Sequence, residues 1–579
     1  MDHNRINTYD DKGDGSPGSR RRLRHNNKRH AIARRFPQTL ILLSLCAALL
    51  AARLLLPLLG SRHVPRPSYS PEAVEACRDI HTALLPSQRT YFPGDAAYWA
   101  ELNHYWSKSL ADLRPACVVH PVTAAQVAAV VRVLNGNGNK NHTSVRFAVK
   151  SGGHDPNPGH ASVDGGVLVA LRHLEGVRYD AEKGVAYVKP GGEWNDVIGA
   201  LEPHGVTVVG GRLGIVGVGG YLLQGGLSFL SAQHGLAADS IVAWETVMAN
   251  GTIVNITQET HPDLAVAMRG GGNQFGIITQ FTMKTRPMGR TWGGVRIYRR
   301  SRWDQLQTAL HNFTIAGAED PKAAIIFADF FMFKNLGVYT VFFFYDGEDP
   351  PSTGPFAEML KIPATVDVTS TKKYSSILWA NGFLAKWIRG RVLFRLTINN
   401  PHPDLHASRD PQPPPPLRRD RDAVAPHHAG RLPRPAVALP QPVLGRVPAA
   451  AGGRGAAQRA GGGNAMGLSA ADPDRVVLNL QCMWHRARDD AAVRALAAEM
   501  TQWLEGRLPA WNALAGLGLE EDQDQKAAGT AAYMPLFMND AMSDQDVLRS
   551  YCGYETFRAL QRSVDPEGMF RSRVGGYRY

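Results

Sequence analysis

At 579 residues, with 44% hydrophobic and 20% charged side chains, the chain can bury one large core or two medium ones, which excludes a disordered tail or a disulfide-held mini-protein. Its formal net charge of +13 would suggest nucleic acid, but the charge is localised. Residues 1–36 hold ten Lys/Arg against four Asp, residues 401–463 hold nine Arg against four Asp, and together they supply 11 of the 13. The rest is near neutral, so no basic face is left to follow a phosphate backbone.

Eight cations, Arg20, Arg21, Arg22, Arg24, Lys28, Arg29, Arg34 and Arg35, precede an apolar run from Leu40 to Ala52 that continues past Arg53 to Leu59. Thirteen uninterrupted apolar residues suit a signal-peptide core; the whole stretch to Leu59 suits a tilted membrane span. The long basic leader (1–37) favours a type II signal anchor over 38–60 with a cytoplasmic N-terminus and the body lumenal or extracellular; a secreted form is the alternative. Five cysteines fit that compartment. Cys46 lies in the apolar run, and Cys77 and Cys117 bracket a stretch before the first strong helix, where they are expected to pair in an oxidising lumen. Sequons stand at Asn141, Asn250, Asn255 and Asn312. No cysteine spacing resembles a zinc site, so metal catalysis is not expected.

An N-terminal extension (61–112) leads into a helix over Thr123–Leu134, capped by Thr123 and Gln126 with Val127, Val130, Val131 and Leu134 on one face. Strands are expected at Val145–Val149 and Val167–Leu171, with a Gly-rich loop between them. Val185–Val188 reads as a strand and Trp194–Leu201 as a helix. Ile241–Met248 turns at Asn250-Gly251 into Thr252–Ile256, a hairpin signal. A further strand falls between Phe275 and Thr285. After Trp292 come a helix over Trp303–Phe313 and two aromatic strands, Ala324–Phe333 and Gly337–Tyr345, which suggest an antiparallel sheet with helices on one face. Residues 401–463 contain 13 of the 38 prolines and nine arginines but no lysine, aromatic, isoleucine or glutamate. Disorder is one reading of this composition; a frameshift in GC-rich coding sequence, replacing core elements, is the preferred one.

Glycines crowd at Gly152-Gly153, Gly191-Gly192, Gly210-Gly211, Gly214, Gly217, Gly219-Gly220, Gly225-Gly226 and Gly270–Gly272. Such loops let backbone N–H groups approach a diphosphate closely, and they predict a large, flat, anionic ligand. A Rossmann fingerprint and a Walker sequence are both absent.

Val149-Lys150-Ser151-Gly152-Gly153-His154, the run Val208–Tyr221, Arg269–Gly276, Tyr533–Ala541 and Asp565–Phe570 resemble, in order, the motifs of FAD-linked oxidases with a PCMH-type flavin domain. The branch is that of berberine-bridge-enzyme-like and oligosaccharide oxidases, especially fungal ones. The resemblance implies an α+β, vanillyl-alcohol-oxidase-like fold: a flavin domain at 113–287, an antiparallel substrate domain at 288–529, and a returning segment at 530–579. It implies that His154 bonds covalently to FAD. Bicovalent relatives add a cysteine where this chain has Leu213, so the link should be single. Ser151, Gly152, Gly153 and Asp155 should line the pyrophosphate loop, Gly217, Val218 and Gly219 should pass along the isoalloxazine, and Asn539 should orient groups near the ring. Tyr533 is the candidate base. The implied reaction is hydride transfer from an alcohol, sugar or secondary metabolite to FAD, then to oxygen, giving hydrogen peroxide. Two alternatives stay open: an FAD dehydrogenase with another acceptor, and an inactive anchored glycoprotein whose substrate domain is damaged.

Overall fold

The computed structural model describes residues 69–136, 142–316, 320–332, 336–387, 390–401, 437–443, 463–468, 475–506 and 535–579. The basic leader, the apolar run at 38–60, Asn141 and Tyr533 therefore lie outside the described residues. So do 402–436 and 444–462. Among the described residues no helix is long and apolar enough to cross a membrane, and no cluster of three His, Cys, Asp or Glu could hold a metal.

Helix α1 (Pro71–Ala83) starts at Ser70, whose hydroxyl accepts from Ala73 N, and α2 (Ala96–Leu102) follows the short strand β1 (Thr90–Tyr91). The first sheet places β1 antiparallel to β2 (Cys117–Val119), and β2 and β3 (Phe147–Lys150) parallel to β4 (Val167–Ala170). All four residues of the central strand β4 are buried, as expected of a parallel strand covered on both faces. Helix α3 (Ala124–Leu134) covers it. Thr123 Oγ1 accepts from Gln126 N at 3.2 Å, while Gln126 Oε1 reaches back to Val122 N, one residue earlier than a reciprocal capping box would place it. Val127, Val130, Val131 and Leu134 are buried as the helical spacing requires.

Cys77 on α1 and Cys117 on β2 form a disulfide with their Cα atoms 6.0 Å apart. The bridge closes a loop of 40 residues, so replacing Cys77 with serine is expected to lower stability by about 2–4 kcal/mol. The check is a lower denaturant midpoint, with a steeper slope as the uncrosslinked unfolded chain exposes more surface; an unchanged midpoint contradicts it.

The second sheet is antiparallel, in the order β5 (Val177–Asp180), β6 (Val185–Val188), β10 (Ile277–Pro287), β8 (Ile241–Val247), β9 (Ile253–Thr257), with β7 (Val206–Val208) pairing the far end of β10. The β8–β9 hairpin turns at Asn250-Gly251, where Gly251 has φ +77° and Asn250 Oδ1 accepts from Thr252 N. Helices α4 (Trp194–Leu201) and α5 (Val218–Leu223) pack into the same core through Trp194, Ile198, Val218 and Leu222.

The third sheet runs β12 (Ala323–Met332), β13 (Leu336–Tyr345), β11 (Thr291–Arg299), with β14 (Val366–Asp367) and β15 (Ser370–Lys372) on β11. Ile325, Phe327, Val341 and Phe343 bury one face under helix α6 (Trp303–Ala316). Ile326 and Phe344, on the other face, join the main core, where Phe344 stacks on Phe229 at 5.1 Å. Helix α7 (Tyr374–Trp387) follows. A fourth sheet has the order β16 (Arg391–Pro401), β18 (Arg475–Trp484), β17 (Val437–Val443). The anomalous segment thus contributes one described strand, which lies beside β12. Its two prolines, Pro440 and Pro442, donate no backbone N–H. Helix α8 (Asp490–Glu505) covers this sheet.

The C-terminus closes onto the first two sheets after α9 (Tyr554–Val564). Arg573 donates to the carbonyls of Val145, Leu134 and His142, and Val574 bridges Phe147. Tyr577 and Tyr579 enter the main core.

Candidate functional site

The loop after β3 and the loop before α5 meet backbone to backbone. A Cβ on Gly152 would lie 2.6 Å from Gly217 Cα, and one on Gly217 would lie 2.3 Å from Gly152 N. Only two glycines permit that approach. Ser151 fixes the pair, donating to Pro190 O at 2.6 Å and accepting from Gly219 N at 3.0 Å. Gly153 has φ +68°, and a Cβ there would run into Lys150 Cε and Tyr105. Val218 is fully buried in the core rather than lining a surface.

His154 follows, with its imidazole stacked on Trp106 at 4.2 Å and 10° between planes. Trp106 N donates to Gly153 O, and its indole also meets Phe394 of β16 at 5.1 Å. Ser107, next in sequence, accepts from Val392 N, so residues 106–107 join the histidine loop to the fourth sheet. Burial drives the His154 pKa down to about 4, against a weaker opposing pull from Asp155, so the ring is neutral at physiological pH. Asp155 itself stays ionised: burial alone would raise its pKa, but His160 at 3.0 Å and Asn157 hold it below the usual range.

The returning segment is pinned to both loops. Asn157 donates to Ala541 O and accepts from Ser543 N, while Asn479 of β18 donates to Asp540 O. Asn539 accepts from Gly226 N and donates to Tyr221 O, so it anchors the segment to the α5 loop.

Several buried polar atoms around these loops have no partner among the described residues: Trp106 Nε1, Asn195 Oδ1, Arg212 Nη1, Asn381 Oδ1 and Asp540 Oδ2. Isolated in a core, each would be costly. Around the paired glycine loops Trp106 Nε1, Asn195 Oδ1 and Asn381 Oδ1 are a donor and acceptors that a large polar cofactor would satisfy, so the residues present fit FAD. Cys482 is no second attachment point, because it is buried under α8 among Leu393, Trp484 and Val493, and burial pushes its thiol up to about 12.

Sequence reasoning located the glycine loops and His154 but passed over Trp106, Asp540 and Arg212. A cue for the first was the aromatic cluster His104-Tyr105-Trp106 inside the stretch read only as an extension. Asp540 adjoined a residue already singled out.

A family profile described as an FAD binding domain matches residues 115–257. An FAD-linked oxidoreductase of Arthroderma benhamiae is 32% identical over 514 residues, covering 84% of this chain and 91% of its own. The FAD-dependent monooxygenase FUP4 of Fusarium proliferatum is 32% identical over 498 residues, covering 82% and 86%. Among solved structures, the grass-pollen allergen Phl p 4, titled a glucose dehydrogenase, superposes with a TM-score of 0.63 at 15% identity, covering 86% of this chain and 99% of its own; a single-substitution variant of it is titled a glucose oxidase. With its glycine loops, returning C-terminus and full-length relatives in agreement, this chain belongs to the family of FAD-linked oxidoreductases built on the PCMH-type FAD-binding fold.

Proposed function

We propose that the chain is an FAD-dependent oxidase that oxidises an alcohol, sugar or secondary metabolite, with FAD joined to His154 alone and oxygen reduced to hydrogen peroxide. The observation that carries this reading is the neutral imidazole of His154, held flat against Trp106 beside two glycine loops. A neutral ring nitrogen is a competent nucleophile, and the flanking glycines let its edge come close to a planar partner. When bound, the flavin supplies the two-electron acceptor. The chain's own groups would orient it: the Ser151–Gly153 and Gly217–Gly219 backbones at the diphosphate and ring, and Trp106 at the attachment point. Leu213 stands where bicovalent relatives carry a cysteine, and Cys482 is buried under α8, so neither position supplies a second link.

A dehydrogenase using another acceptor is the second reading. Phl p 4 and its variant favour keeping it, since there one substitution separates a glucose dehydrogenase from a glucose oxidase. For location, we propose a type II membrane protein anchored at 38–60, with its body in the secretory lumen or outside the cell; the Cys77–Cys117 bridge and the exposed sequons at Asn250 and Asn255 are consistent with that compartment.

The test uses the full chain from a secretory host. The expected result is peroxide release under air with a member of a panel of sugars and aromatic alcohols. Dye reduction without peroxide would favour the dehydrogenase, and failure to bleach the flavin with any member would remove the substrate class.

A further inference from the structure

Asp540 ends the short turn Met538–Asp540, and its backbone is held from three directions. Asn479 reaches it from the fourth sheet, Asn157 holds the next carbonyl from the histidine loop, and Asn539 ties the preceding residue to α5. Its position is therefore set by the very elements that frame the flavin site. Its Oδ2 is buried and accepts nothing, and Arg212 Nη1, in the loop before α5, is buried and donates nothing. Tyr221 brings the two together: its carbonyl accepts from Asn539, next to Asp540, and its hydroxyl donates to Gly210 O, two residues before Arg212, so a carboxylate acceptor and a guanidinium donor left open there are complementary to a single group that both gives and takes a hydrogen bond. A hydroxyl does both; a hydrocarbon or an ether does not give one.

We propose that Asp540 is the base that removes the substrate's hydroxyl proton, with Arg212 donating to the same oxygen, so that the substrate is a neutral alcohol or sugar hydroxyl. This rests on the oxidase reading above and names its substrate class. In the step, the O–H bond breaks and its proton passes to Asp540 Oδ2. With FAD held there, the neighbouring C–H bond would break, its electron pair leaving with the hydrogen as hydride to the two-electron acceptor that FAD would supply, and a C=O bond would form. Arg212 steadies the oxygen while negative charge develops there.

Burial raises the Asp540 pKa above the ordinary aspartate range, and Arg212 opposes this only in part. Among the described residues, the ionisable groups coupled to it are Arg212 and Tyr221, and Tyr221 is no rival base, because its hydroxyl donates to Gly210 O and burial holds its pKa well above the usual value. A raised carboxyl fits a base that must give its proton up again near neutral pH.

The test is Asp540→Asn in the flavin-loaded protein, with Asp540→Glu as the conservative partner. The amide is isosteric with the carboxylate and breaks no side-chain hydrogen bond, so yellow colour and flavin content should match the parent. Anaerobic flavin reduction by the parent's best panel substrate should slow about 10²–10⁴-fold, with little change in KM, and the acid limb of the pH profile should vanish. Asp540→Glu should recover part of the rate. Independently of turnover, the infrared carboxyl band lost in Asp540→Asn should titrate above the ordinary aspartate range in the parent. Reduction within threefold of the parent, or a band titrating in the ordinary range, overturns the assignment. A panel that fails to reduce the parent sinks the oxidase reading, and the infrared titration still decides whether Asp540 has the properties of the base.

Discussion

Replacing His154 with alanine is expected to leave no acid-stable flavin on the chain. The parent should precipitate yellow in acid and carry an added mass on the peptide spanning residue 154; the variant should release its colour to the supernatant. The glycine loops and the surrounding unpaired polar atoms are untouched by the change, so flavin should still bind reversibly. The pH behaviour follows from burial. The nucleophile is the neutral ring, and the folded pKa of about 4 lies below the ordinary 6.5. Attachment should therefore stay near its maximal rate as pH falls through 6.5 and decline only towards about 4. Stability runs in the same sense: between those values the unfolded chain binds a proton that the folded chain does not, so stability falls as pH drops across that window. Trp106→Leu, which removes the stacked ring, should move the onset of both effects upward towards 6.5. Acid-stable colour retained by His154→Ala would place the link elsewhere.

The parts of this molecule that were legible in sequence are those whose cause is local. The helix at Ala124–Leu134 announces itself through its Thr123 cap and its valine stripe, and Trp194–Leu201 through spacing alone. The glycine loops were legible because crowding of one residue type survives without knowledge of its partners, yet why Gly152 and Gly217 must both be glycine is visible only when the two loops meet. Trp106 lies 48 positions before His154 and carries no periodic mark. Nothing in the sequence around Asn539 marks its bonds to Gly226 N and Tyr221 O, which only the fold shows. The fourth sheet was the least legible, since β16 and β18 stand on either side of the proline- and arginine-rich stretch and their pairing, Phe394 opposite Gln481, spans it. Tyr533 lies outside the described residues, whereas Asp540, seven residues on, is held at the site.

Glu101→Gln is expected to destabilise the fold by about 3–5 kcal/mol, since it leaves a buried ammonium without its counter-charge. Glu101 and Lys150 are both 0% exposed and form a direct ion pair. Lys150 Nζ also donates to Glu101 O at 3.1 Å and lies 4.0 Å from the Tyr105 ring, while His120 Nε2 and Arg172 Nη1 approach the other carboxylate oxygen at 3.2 and 3.5 Å. Burial alone would raise the Glu101 pKa, but His120 and Lys150 outweigh it and hold the carboxyl far below its ordinary 4.5. A depressed carboxyl stabilises the fold above 4.5 and loses that contribution as pH falls below it, so the parent should show an acid-sensitive component that Glu101→Gln lacks. The consequence reaches the flavin site, because Lys150 immediately precedes Ser151 and its Cε fills the space a Cβ on Gly153 would need. An unpaired Lys150 driven towards water would drag that loop, and acid-stable flavin should fall together with the melting temperature. The double variant Glu101→Leu with Lys150→Met removes both charges and should recover most of the melting temperature. A Glu101→Gln protein that melts and binds flavin like the parent would show that the pair is not holding the histidine loop in place.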